Sequence, residues 1–211
     1  MLISELAKAV HENAVEHGWW DEDREAPEII ALIHSEWSEA LEEARADRPL
    51  VWYACGESNN SLIVCNPQDE YECRMYGREK ECEYRQNKPE GIAVELIDGC
   101  IRILDYAGEL KTEFKEGDGS LSEIESLYTE SNISKVPEKL PELVAYLHMY
   151  TSSSIGARGY RDFGIPDILA LVSAMAVALS WVKKQGLDPL AILLEKHEFN
   201  KSRPYKHGKK F

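Results

Sequence analysis

Positive charge is scarce in this chain. Twenty-four Lys and Arg stand against 38 Asp and Glu in 211 residues, a net charge of −14. Such a surface excludes nonspecific binding to nucleic acid, which needs cations to displace the phosphate counterions. Long apolar runs are also missing. The longest, "ILALVSAMAVALSWV" at 168–182, falls short of the roughly 20 residues a membrane-spanning helix needs, so it reads as a buried helix and no membrane partner is expected. Cysteine pairs of the CxxC type are absent. Cys55, Cys65, Cys73 and Cys82 are spaced ten, eight and nine apart, which lacks the knuckles of a zinc site, so ordinary thiols are expected there. An odd count of five cysteines, behind an amphipathic N-terminus with no signal-peptide pattern, points to a reducing, cytoplasmic setting. There is no internal repeat and no low-complexity segment.

What is present is helical periodicity. Residues 3–17 carry one amphipathic pattern that stops at Gly18. "APEIIALIHSEWSEALEEAR", 26–45, carries a second, with Pro27 near its start and a stripe of Ile29, Ile30, Ile33, Trp37, Ala40, Leu41 and Ala44. "PEGIAVELIDGCIRILDYAG" predicts a third helix, closed by Gly108. Further helices are expected over 137–153, over 166–185, and from Pro189, behind the capping Asp188, to about Ser202. Between the second and third helices, residues 47–89 change character. "PLVWYACG" and "SLIVC" flank "ESNN", which predicts a small β-hairpin in an inserted, cysteine-bearing segment. Residues 109–165 form a second, mostly helical insertion. The fold class expected is all-α, one domain over 1–211, with a small inserted hairpin.

Two stripes of charge break these patterns. In the third helix Glu95, Asp98, Arg102 and Asp105 recur at three, four and three within an otherwise apolar segment. In the second, Glu36, Glu39 and Glu43 share a face, and Glu36 borders the apolar stripe. If the apolar faces pack together, the pairs Glu36/Glu39 and Glu95/Asp98 converge. Half-buried carboxylates so crowded take up protons or bind cations. Oxygen ligands on two rigid helices suit Mg²⁺, for which Mn²⁺ can substitute. The competing reading is structural: solvated glutamates on the second helix, and a salt bridge from Arg102 to Asp98, Asp105 or the second helix.

The last segment reverses the charge. From Lys196 to Lys210 there are six Lys or Arg against one Glu. Lys196, Asn200 and Arg203 share a helical face, and Lys, Asn and Arg together can bind phosphate oxygens. A basic C-terminus complementing the helix dipole is the plainer reading. Trp19, Trp20, Trp37 and Trp52 offer flat surfaces, with core packing expected first. His34 is expected on a helix surface, and "GARGYRDFG", 156–164, lacks the spacing of a phosphate-binding loop.

"EWSE" at 36–39, "ELID" at 95–98 and the ending "KHEFNKSRPYKHGKK" together resemble the MazG-like all-α nucleoside triphosphate pyrophosphohydrolases, whose pattern is ExxE, then ExxD, then K…N…R. The resemblance covers residues 1–46, 88–108 and 187–210. It implies a helical bundle assembling as a homodimer or dimer of dimers. It implies cleavage of NTPs or dNTPs to monophosphate and pyrophosphate, for nucleotide-pool sanitation or dNTP control. It implies Mg²⁺ held by the catalytic carboxylates Glu36, Glu39, Glu95 and Asp98, and substrate bound by Lys196, Asn200 and Arg203. The insertions depart from the family pattern, so base preference is not carried over. Two rivals remain: a non-catalytic nucleotide-sensing or partner-binding protein of the same fold, and a metal-independent helical scaffold.

Overall fold

The computed structural model describes residues 1–58, 61–65, 88–112, 122–155 and 166–208, with the side chains of 54–65, 207 and 208 outside the description. The four-cysteine group and the glycine-rich stretch 156–164 therefore fall outside the described residues or side chains. Helices dominate: α1 (Ile3–Glu16), α2 (Ala26–Arg45), α3 (Ile92–Glu109), α4 (Glu130–Ile133), α5 (Leu140–Ser153), α6 (Ile168–Lys184) and α7 (Pro189–Lys201). Strands β1 (Trp52–Ser58), β2 (Ser61–Cys65) and β3 (Pro89–Glu90) form an antiparallel sheet in the order β2-β1-β3.

Local chemistry sets several boundaries. Gly18 has φ +77°, the left-handed turn that ends α1 and that a side chain would resist. Pro27 stands in the first turn of α2. Asp188 accepts hydrogen bonds from the backbone of Leu190 (3.1 Å) and Ala191 (3.4 Å) ahead of Pro189, which satisfies N–H groups that α7 cannot. Gly108 departs from expectation. It does not stop α3, which runs through it to Glu109. A Cβ there would lie 2.5 Å from His11 Cβ and 2.6 Å from the Ala7 carbonyl, so this glycine lets α1 approach α3.

Helix α3 is the centre of the molecule, packed by α1, α2, α6 and α7, while α5 covers α2 and α6. Its Ala93, Val94, Leu96, Ile97, Cys100, Ile103 and Leu104 are all inaccessible to solvent. Each such Leu or Ile contributes about 1.5–3 kcal/mol relative to exposure. Trp37 of α2 is equally buried, packs on Gly99, and donates its indole N–H to Thr151 Oγ1 of α5 at 2.9 Å. The apolar run at 168–182 is a core helix, and among the described residues no single helix is long and apolar enough to cross a membrane.

Candidate carboxylate and phosphate site

Crossing of α2 over α3 brings acidic side chains together. One carboxylate oxygen each from Glu36, Glu39 and Glu95 lie within 4.8 Å of one another. Glu36 is 6% exposed and Glu95 4%. Burial, with Asp98 beside it, pushes the Glu95 carboxyl up to about 8. Burial also raises Glu36, against the opposing pull of Arg102. Both are carboxyls whose removal from water outweighs the positive charge near them.

Each charge on α3 reaches a different neighbour. Glu95 faces the glutamates of α2. Asp98 Oδ2 is 2.8 Å from Lys196 Nζ of α7. Arg102 donates its Nε–H to Glu36 on α2. Asp105 Oδ1 accepts from His11 Nδ1 of α1 at 2.8 Å and from Trp20 Nε1 at 2.9 Å. Arg102 thus bridges helices and does not pair with Asp98 or Asp105 on its own helix. Glu95 is the least exposed of the three and makes no ion pair among the described residues, so it gains most from a cation. Glu43, on the same predicted face as Glu36 and Glu39, instead accepts from the Trp52 indole at 2.7 Å.

These side chains open onto a cavity of about 200 Å³. Glu36, Glu39, Glu95, Asp98, Asn200 and Arg203 all line it. Lys196 is placed differently. It is 1% exposed, bound to Asp98 and donating to the Pro89 carbonyl at 3.1 Å, so it sits behind Asp98 and not on the wall. Arg203 makes no ion pair among the described residues. His34 lies away from this cavity, with its Nδ1 2.6 Å from that of His148.

Several lining residues escape a reading by periodicity. Lys88 enters on β3's approach and binds Glu90 at 2.8 Å. Arg24 pairs with Glu28 at 2.7 Å and lies 5.8 Å from the centre of the Trp19 ring. His197 lines the wall with both ring nitrogens buried and unpartnered, and burial keeps it below the usual histidine value, hence neutral. Asn13 and Asn200 each present a buried, unpartnered Oδ1. Asn200 is marked in sequence by its face shared with Lys196 and Arg203; the only signal for His197 is that it stands three residues before Asn200 on α7.

Four carboxylates meet two contacting cations, Arg102 and Lys196, which leaves two carboxylates to be balanced by protons or by a further cation. The donor set is all oxygen, converging from two rigid helices, and suits a small divalent cation. Arg203 and Asn200 stand across the same cavity and suit phosphate oxygens. Against known protein families, curated proteins and solved structures, the chain gives no match.

Proposed function

We propose that this chain is a Mg²⁺-dependent nucleoside triphosphate pyrophosphohydrolase with the MazG-like helical bundle. It would release monophosphate and pyrophosphate from NTPs or dNTPs, in pool sanitation or dNTP control. The observation that carries this reading is the single cavity in which Glu36, Glu39, Glu95 and Asp98 face Asn200 and Arg203. A surplus of carboxylates and an unpaired guanidinium would serve the two ends of a metal–polyphosphate ligand.

Glu36, Glu39 and Glu95 would hold the cation, with Asp98 beside them. Mg²⁺, when bound, supplies Lewis acidity to the phosphate chain and to the attacking water. Arg203 would bind phosphate oxygens through its planar fork, and Asn200 through its amide N–H₂. Lys196, buried against Asp98, would orient that carboxylate. A carboxylate of the cluster not engaged by the cation would be suited to take a proton from the attacking water.

Glu36–Arg102 and Asp98–Lys196 favour a second reading, a metal-free scaffold. Among the described residues Glu39 and Glu95 make no ion pair, and the scaffold gives them none. The test is pyrophosphate release across an NTP and dNTP panel with Mg²⁺ or Mn²⁺, on wild type, Glu36→Gln and Asp98→Asn. Turnover that falls by about 10²-fold or more in either variant is expected. No turnover with any triphosphate, together with no heat of Mg²⁺ or Mn²⁺ binding, overturns the proposal.

A further inference from the structure

Asp105 has no part in the chemistry above, yet it lines the same cavity. Its geometry is fixed. His11 Nδ1–H and Trp20 Nε1–H both bind Oδ1, and His11 Nε2 lies 3.3 Å from Glu109. A protonated histidine between two carboxylates donates from both nitrogens, so it holds the Asp105 side chain in one orientation. Among the described residues no donor reaches Asp105 Oδ2. A fixed carboxylate on a cavity wall repels phosphate and attracts N–H or O–H groups.

Its surroundings ask for the same kind of ligand. Asn13 Oδ1 from α1 and both ring nitrogens of His197 from α7 are buried without partners, and both residues line the cavity. His197 is 4% exposed. Buried polar groups are normally satisfied, so this wall is short of hydrogen bonds that a ligand would complete. Trp19 adds a flat apolar surface to the same cavity. Phosphate, which offers acceptors and negative charge, is the wrong complement. An uncharged, donor-bearing group is the right one.

We infer that this wall seats the nucleoside half of the ligand and that Asp105 reads an exocyclic amino group on its base. Guanine, adenine and cytosine nucleotides are then taken in preference to hypoxanthine and uracil ones. The inference rests on the nucleotide reading above and narrows it. A site that prefers amino-bearing bases serves control of ordinary nucleotide levels and not removal of deaminated ones. Carboxylates accept from base amino groups in this way, and a site built for a donor rejects the analogue without it.

The experiment is calorimetric titration in Mg²⁺ buffer with two matched pairs, GMP against IMP and CMP against UMP. Wild type is expected to bind the amino-bearing member of each pair about tenfold or more tightly. Asp105→Asn keeps an oxygen for His11 and Trp20 but turns N–H₂ into the cavity, so the order is expected to reverse for CMP and UMP, whose O4 accepts from it, and the preference to be lost for GMP and IMP, which has no acceptor at that position. Affinities equal within about twofold in both wild-type pairs, or an unchanged order in folded Asp105→Asn, overturn the inference. If that variant does not fold by circular dichroism, the wild-type pairs decide alone. Pyrophosphate release without base preference sinks this inference and leaves the proposed reaction. Base preference without release does the opposite.

Discussion

Gly99→Ala adds one methyl where α2 and α3 touch, and its effect has an unusual sign. A Cβ on Gly99 would lie 2.2 Å from Trp37 Cζ3 and 2.4 Å from Cη2, against roughly 3.5–4.0 Å for relaxed carbon contact. The indole cannot swing aside. It is fully buried and held at Nε1 by Thr151. Relief therefore requires α2 to lift off α3 by roughly 1.5 Å. Overpacking costs about 1–3 kcal/mol, while Ala regains up to about 1 kcal/mol over Gly in a helix interior. Because three atoms of a clamped ring are struck, the net expected is a loss of about 1–2 kcal/mol. For a chain of this size that lowers Tm by about 2–8 °C. Trp37 follows Glu36 and Gly99 follows Asp98 in sequence, so the same lift separates the carboxylate pairs and is expected to weaken the proposed Mn²⁺ binding. Thermal melts by circular dichroism and a Mn²⁺ titration by electron paramagnetic resonance measure the two effects. A Tm at or above wild type, the usual result of Gly→Ala in a helix, refutes the packing argument.

Other perturbations test other contacts. Lys196→Met leaves Asp98 against a buried apolar chain, so a loss of about 3–5 kcal/mol is expected. Adding Asp98→Asn should restore part of it, and a double variant no better than the single one in urea unfolding would show that the pair is not coupled. His11→Gln tests pH linkage. The Asp105 hydrogen bond, together with the charges of Asp105 and Glu109, raises the His11 pKa above its ordinary value. A raised folded-state pKa adds stability that is complete below the unfolded value, about 6.5, and is lost as pH rises through the folded one. The Tm gap between wild type and His11→Gln should be widest near about pH 6 and should narrow toward about pH 9. A gap that grows with pH contradicts the charged His11–Asp105 contact.

The sequence made helix existence legible and left helix contacts obscure. α1, α2 and α7 were readable because Gly18, Pro27 and Asp188-Pro189 act through local backbone geometry, which a short window contains. Gly108 shows the limit. A glycine near the end of an apolar stripe serves equally as a helix stop or as the place where a second backbone comes close, and only the position of Ala7 and His11 decides. The meeting of Glu36, Glu39 and Glu95 follows from spacings of three on two apolar helices. Which cation serves which carboxylate does not follow from spacing. Arg102 chooses Glu36 across a crossing, and Lys196 turns inward to Asp98 because α7 packs on α3. Asn13 and Lys88 were invisible for a related reason. Their relevance comes from which helix or strand ends at the cavity, a property of topology and not of neighbours in the chain.

The short strand β3 pairs with the start of β1, Trp52 opposite Glu90 and Tyr53 opposite Pro89. The chain thus leaves α2 and comes back to α3 through adjacent, hydrogen-bonded doors. Length added or removed beyond that threshold need not shift either helix, since exit and return are already fastened to each other. The same latch carries Pro89, whose carbonyl receives the buried Lys196 ammonium. A graft that replaces the excursion with a tight turn would preserve the carboxylate-lined cavity only if it kept this clasp intact.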